Sequence, residues 1–256
     1  MSMRLIRYRV GGEPFNGAVV DGIVHRLPGA LWDPLRPGAA VAPLEEVDLL
    51  APCLPGKIVA VGLNYRAHAA ESGYDVPAEP VIFMKPRTAV IGPGAAIVLP
   101  LRLSGRVDYE AELAVVVGRR ARNVPRQAAS DFVLGYTCGN DVTARDLQQR
   151  DGQWTRSKSF DTFCPLGPWI VPDLDVSDLA VRSRVNGELR QDGHTGDLIF
   201  SVDDLIAFVT AVMTLEPGDV ILTGTPAGVG PLHPGDRIEI EVEGIGTLEN
   251  EAVAEA

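Results

Sequence analysis

Val107-Asp108-Tyr109-Glu110-Ala111-Glu112-Leu113-Ala114-Val115-Val116-Val117-Gly118 is the stretch whose reading decides the fold. It reads as one strand that begins polar and ends apolar. Side chains alternate between the faces of a strand, so Asp108, Glu110 and Glu112 share one face and Tyr109, Ala111 and Leu113 the other. Beyond Glu112 the run Leu-Ala-Val-Val-Val has no polar face, which predicts burial on both sides. Carboxylates at the mouth of a buried strand repel one another and lose their hydration. A hard divalent cation answers both problems, because Mg²⁺ and Ca²⁺ take oxygen ligands. The plainer reading is a strand with a solvated acidic face, and Arg237-Ile238-Glu239-Ile240-Glu241-Val242-Glu243 alternates in the same way with no evident chemistry. On spacing alone the plainer reading is preferred; the rest of the chain shifts the weight.

The chain has 256 residues, 46% hydrophobic and 22% charged, enough for one large domain or a domain plus a small one. A formal net charge of −11 argues against nucleic acid, whose phosphates need clustered Lys and Arg. It leaves room for a small anionic substrate, since a bound metal reverses the local field. No apolar run approaches the roughly 20 residues needed to cross a bilayer, and residues 1–10 lack the features of a signal peptide. A cytoplasmic protein without membrane contact is therefore expected. Cys53, Cys138 and Cys164 are far apart and form no zinc or redox spacing, so they are expected to be buried, unpaired thiols.

Around the central stretch the chain divides into residues 1–54, a small N-terminal β-rich domain, and 55–256, the larger unit. In the first, Asp21-Gly22 between β-branched pairs predicts a two-residue hairpin turn. In the second, a buried strand ending at Gly62 leads into Leu63-Asn64-Tyr65-Arg66-Ala67-His68-Ala69-Ala70-Glu71-Ser72-Gly73, a short helix with Asn64 as N-cap and Ser72-Gly73 as its stop. His68 and Glu71 share one face of it; a solvated pair on a surface helix is the simpler reading, a movable lid the functional one. Residues 133–140 predict another apolar strand, ending in Asp141, followed by a helix carrying Arg145, Asp146 and Gln148. Residues 127–131 are expected to be helical. Residues 154–168 read as a packed loop around Lys158, which a structural salt bridge would equally explain. Asn186-Gly187 marks a second hairpin, Ser201 caps a helix with a stripe of Leu205, Phe208, Val209 and Val212, and residues 217–230 read as a buried strand opening into a Gly-rich loop.

Taken together these motifs resemble the fumarylacetoacetate hydrolase family in its short bacterial form. The residues that carry the resemblance are Gly62-Leu63-Asn64-Tyr65 with His68 and Glu71, Asp108-Tyr109-Glu110-Ala111-Glu112, Asn140-Asp141 with Arg145 and Gln148, Lys158-Ser159-Phe160-Asp161, Asn186-Gly187, and Leu222-Thr223-Gly224-Thr225-Pro226 with Gly228-Val229-Gly230. Each is weak alone, and six in order are specific. The resemblance runs from Lys57 to the C-terminus and implies a mixed β-rich (α+β) fold, a β-sandwich or roll, usually a homodimer. It implies that Glu110, Glu112 and Asp141 bind Mg²⁺ or Mn²⁺, that His68, Glu71 and Lys158 are catalytic, and that Arg145, Gln148 and Thr225 position the substrate.

The implied substrate is a small 2-oxo, 2,4-dioxo or 2-hydroxy-dienoic acid handled through a stabilised enolate. Carbon–carbon hydrolysis of the acylpyruvate or fumarylpyruvate type and oxaloacetate decarboxylation come first. 2-Hydroxyhepta-2,4-diene-1,7-dioate isomerisation in aromatic catabolism is the alternative, and a non-catalytic metal-binding homodimer a second one.

Overall fold

The computed structural model describes residues 3–256. The described residues form a twelve-stranded sheet, a five-stranded sheet and a three-stranded sheet, with few helices between them. The path of the large sheet runs Ala40–Pro43, Ile23–Leu27, Glu13–Val20, Arg4–Val10, Cys164–Val171, Val133–Asn140, Ala111–Val117, Val220–Leu222, Ile58–Gly62, Val81–Lys85. The strand Ala111–Val117 thus lies inside the sheet, antiparallel to both neighbours. All seven of its residues are buried, as the apolar run predicts. Ala111, Leu113, Val115 and Val117 face a core shared with Val181, Ile238, Ile240, Val242 and Leu248 of the five-stranded sheet. Ala114 and Val116 face a second core with Leu5, Ile58, Leu166 and Leu222. Two packed sheets with mixed pairing make the β-rich α+β architecture expected from the sequence.

The hairpin at Asp21-Gly22 joins Glu13–Val20 to Ile23–Leu27, and both turn residues have positive φ as a two-residue turn requires. The strand Arg4–Val10 also pairs with Cys164–Val171, so the N-terminal strands extend the large sheet. The Asn186-Gly187 hairpin joins Ala180–Val185 to Glu188–His194.

Several local expectations are corrected. Residues 107–118 are two strands, Val107–Tyr109 and Ala111–Val117, which belong to different sheets and part at Glu110. The helix carrying His68 runs Arg66–Glu71, with Tyr65 at the N-cap position and no side-chain cap; Asn64 is buried and committed elsewhere. Lys158 ends a short helix, Thr155–Lys158, where a loop was expected. Residues 127–131 are helical as expected, inside the 3₁₀ helix Arg126–Phe132. The helix Val202–Val212 has the full capping box at Ser201 and Asp204, but Val202, Leu205, Ile206 and Val209 form its buried stripe and Val212 is exposed. No described helix is long and apolar enough to cross a membrane. The three cysteines are buried and unpaired, and burial pushes each thiol up to about 12.

Candidate active site

The break in the acidic strand builds the site. The Glu110 N–H donates to the Asn140 side-chain carbonyl at 3.0 Å, and the Ala111 N–H to Gln191 Oε1 at 3.0 Å. Two buried amides replace the hydrogen bonds that a neighbouring strand would supply, so the backbone can pass from one sheet to another without orphaned donors. Past the break, Ala111 pairs with Asn140, and the Asp141 N–H donates to the Glu110 carbonyl at 3.0 Å. Register alone therefore sets Asp141 beside Glu110. One carboxylate oxygen from each of Glu110, Glu112 and Asp141 lies within 4.8 Å of the others, and all three residues are buried.

Two of these three carboxylates have cationic partners. Lys158 Nζ donates to Glu110 Oε2 at 2.9 Å and to Asp141 Oδ2 at 2.7 Å. Lys85 Nζ donates to Asp141 Oδ1 at 2.6 Å and to the Val142 carbonyl at 3.1 Å. Arg145 donates from Nε to Asp108 Oδ2 at 2.9 Å, from one terminal amino group to Gln148 Oε1 at 2.6 Å, and from the other to Glu110. Burial pushes the Glu110 carboxyl up, but Lys158, Arg145 and His68 together hold it below the usual carboxylate range. Burial likewise opposes the Lys158 charge, and Asp141 and Glu110 outweigh it and keep the ammonium charged.

Glu112 differs. Its Oε2 accepts the Gly224 N–H at 2.7 Å, and no cation hydrogen-bonds to it among the described residues. Burial first, then Asp141 and Glu110, raise its carboxyl well above the usual range. A buried carboxylate without a counter-charge, facing two others in an all-oxygen donor set, fits a hard divalent cation. The bridging Lys158 does not preclude that fit, because each ionised carboxylate offers about four lone-pair sites.

The Gly-rich loop supplies the remaining backbone donors. Gly224 has φ +102° and Gly228 φ +101°, a conformation that L side chains rarely adopt, and a Cβ at either would collide with Asn64 or with the Arg190 carbonyl. The Gly228 N–H donates to Glu71 Oε1 at 3.0 Å, while Glu71 Oε2 lies 3.1 Å from His68 Nδ1. His68 is buried, and with Nδ1 engaged its Nε2 is left for chemistry.

All nine residues singled out from the sequence line one cavity of about 270 Å³: Glu110, Glu112, Asp141, His68, Glu71, Lys158, Arg145, Gln148 and Thr225. That size suits a small organic acid. Sequence reasoning missed three residues of this arrangement, Lys85, Gln191 and Arg106, and gave a fourth, Asn64, the wrong role. Lys85 closes an apolar strand directly before Pro86, and a lone buried-strand lysine was the available signal. Gln191 bridges the Ala111 N–H, the Thr225 hydroxyl at 2.7 Å and the Pro226 carbonyl at 2.8 Å. Asn64 bolts the start of the His68 helix to the Thr223 carbonyl at 2.7 Å and to both backbone groups of Phe200. Arg106 lines the mouth, and nothing in its sequence context marked it out.

Comparison with known proteins gives the family of this fold. Residues 57–253 match the family model described as fumarylacetoacetate (FAA) hydrolase C-terminal, and residues 3–52 match one described as Rv2993c-like, N-terminal. A crystal structure of 5-carboxymethyl-2-hydroxymuconate delta-isomerase from Mycobacterium smegmatis is 49% identical, with a TM-score of 0.92 over 98% of this chain and 100% of that one. Fumarylacetoacetate hydrolase from Exiguobacterium antarcticum is 37% identical, with a TM-score of 0.91 over 99% of this chain and 100% of that one. Human mitochondrial oxaloacetate tautomerase FAHD2A is 45% identical over 83% of this chain and 72% of its own length.

The chain belongs to the fumarylacetoacetate hydrolase family. It is an enzyme, which sets aside the non-catalytic alternative. Enzymes of this family typically use a divalent metal, and the Glu110, Glu112 and Asp141 cluster could hold one here.

Proposed function

We propose that this enzyme holds Mg²⁺ or Mn²⁺ at Glu110, Glu112 and Asp141 and moves a proton on a small 2-oxo acid, interconverting its keto and enol or positional isomers. The observation that carries the reading is that buried His68, backed by the more exposed Glu71, shares one small cavity with the carboxylate cluster. When bound, the cation supplies Lewis-acid stabilisation of the charge that develops on the 2-oxo oxygen. His68 Nε2 takes the proton from the carbon beside the 2-oxo group and returns it at another atom. Glu71 accepts a hydrogen bond from the Nδ1–H, which fixes the tautomer that leaves Nε2 unprotonated and basic. Lys158 has one of its three donors left for the substrate oxyanion or carboxylate. Gln148, with its carbonyl held by Arg145, has its amide free to donate, and the Thr225 hydroxyl, accepting from Gln191, can donate into the cavity.

The named relatives at 49% and 45% identity carry out isomerisation and tautomerisation, which favours proton transfer as the whole reaction. Likeness to a fumarylacetoacetate hydrolase supports a second reading, in which His68 activates water for carbon–carbon hydrolysis; oxaloacetate decarboxylation belongs with it as release of a fragment. The proposal includes a homodimer, which sedimentation checks directly. The deciding experiment is a panel of 2-oxo acids with Mg²⁺ in which enol absorbance and pyruvate release are followed separately. Proton transfer changes the absorbance with no pyruvate. Pyruvate appearing in step with the absorbance change would replace it with cleavage.

A further inference from the structure

We infer that Arg106 is a specificity-determining residue: it receives the distal carboxylate of a diacid substrate whose 2-oxo end lies at the carboxylate cluster. The inference rests on the reading of that cluster given above. Asp108 is fully buried and divides its two oxygens between two guanidinium groups, Oδ2 to Arg145 Nε and Oδ1 to Arg106 Nε, each at 2.9 Å. Arg145 spends its other contacts inward, on Glu110 and Gln148. Arg106 does not. Its side chain is 52% exposed at the cavity mouth, and its two terminal amino groups have no hydrogen-bond partner among the described residues. A guanidinium anchored through Nε keeps its end-on edge free, and that edge matches a carboxylate in two parallel hydrogen bonds.

The backbone beneath Arg106 is fixed. Its carbonyl accepts the Arg145 N–H at 2.8 Å, its own N–H donates to the Ser104 hydroxyl at 3.3 Å, and that hydroxyl donates to Asp146. One buried carboxylate therefore orients both an inner arginine that shapes the cluster and an outer arginine that faces the entrance. The cavity's buried part already offers Lys158 to one carboxylate; Arg106, exposed and lining the same cavity, offers a second cation for a molecule that carries two carboxylates.

The test uses matched ligands on the Mg²⁺-loaded full chain, read as dissociation constants by calorimetry. Oxalate probes the inner end alone. 2-Oxoadipate and oxaloacetate carry a distal carboxylate; 2-oxohexanoate and 2-oxobutyrate are their counterparts without it. In the unaltered protein at least one diacid should bind about tenfold tighter than its monoacid, the scale of one charge-assisted hydrogen-bond pair near solvent. Arg106→Gln should erase that margin and leave oxalate and the monoacids unchanged, which also reports an intact fold. Arg106→Lys should restore part of it, since charge returns without the fork. Equal weakening of diacid and monoacid in Arg106→Gln, or a margin that survives it, overturns the role of Arg106. Failure of oxalate and every 2-oxo acid to bind the unaltered protein overturns the inner-end reading, and the distal clamp with it.

Discussion

Two stretches of this protein carry carboxylates at every second position, and they meet different fates. Residues 108–112 turn their acidic side chains into the cavity, where Asp108, Glu110, Glu112 and Asp141 converge and all are buried. Arg237–Val242 turns Glu239 and Glu241 outward, half-buried, while Ile238, Ile240 and Val242 fill the core. Alternation is identical in the two. What differs is the opposite wall. Across from Glu241 stand Arg184 and Arg182 on the paired strand Ala180–Val185. Facing Glu112 are two other carboxylates and a glycine N–H. A periodic pattern thus says which side chains share a face and is silent on what that face looks at. The charge left uncompensated after folding separates a functional acidic strand from a structural one.

The sharpest test of that difference is removal of one carboxylate charge from each strand, and the largest effect is expected in the cavity. Glu112→Gln keeps the shape and deletes the one buried carboxylate that, among the described residues, has no cationic partner. Mg²⁺ affinity and activity should fall together, by at least about a hundredfold, the scale at which even a supporting ligand contact matters. The metal-free protein should not be destabilised, since a repulsion has been removed. Calorimetric Mg²⁺ titration beside thermal melting without metal checks both halves. Unchanged Mg²⁺ affinity would remove Glu112 from the metal site and erase the contrast between the strands.

Next in size is His68→Ala. Loss of a general base costs on the order of 10²–10⁴ in rate. Mg²⁺ affinity should barely move, because His68 is engaged with Glu71 and is not counted among the ligands. A normal kcat on the true substrate would take His68 out of the mechanism, and a lost metal site would make it a ligand.

Lys85→Met separates charge compensation from chemistry. Lys85 is buried and holds one oxygen of Asp141, while Lys158 holds the other. Its removal leaves Asp141 half-compensated, so a stability loss of roughly 1–3 kcal/mol is expected, the cost of leaving a buried acceptor unsatisfied. Denaturant midpoints measure it. No loss would mean that the cavity tolerates unpaired carboxylates, and the argument from compensation would then fail for Glu112 as well.

Lys85 also shows where the sequence stops being readable. The two hairpins were legible because Asp21-Gly22 and Asn186-Gly187 state their own turn geometry locally. The buried run after Glu112 was legible because an apolar stretch admits few other readings. The nine cavity residues were legible through motif order, which carries information that no single spacing holds. The contacts that organise them were not. Gln191 reaches Ala111 across 80 positions, Asn64 reaches Thr223 across 159, and Lys85 reaches Asp141 across 56. Nothing local distinguishes a glutamine that completes a broken strand from one on a surface. The break at Glu110 was missed for the same reason: alternation continues through it, and only the distant amides reveal that the backbone changes sheets. Asn64 had the right chemistry for a helix cap, and tertiary demand claimed it instead.

The smallest effect is expected on the other acidic strand. Replacing both Glu239 and Glu241 by Gln should leave the rate nearly unchanged and shift stability by no more than about 0.5 kcal/mol per site. Glu241 pairs with Arg184 at 2.7 Å, and Glu239 lies 3.8 Å from Arg237; their side chains are 33% and 26% exposed. Pairs this open to solvent contribute little, because water screens the attraction and ordering two long side chains opposes it. After the change Arg182 retains Asp192 and Arg237 retains Glu249, while Arg184, one-third exposed, is left to water. The apolar face that holds the strand against the core is untouched. Steady-state kinetics and a denaturant midpoint on the double variant measure both quantities. A rate loss comparable with that of Glu112→Gln would mean that the half-buried strand takes part in the chemistry, and that an uncompensated charge is the wrong criterion for telling the two strands apart.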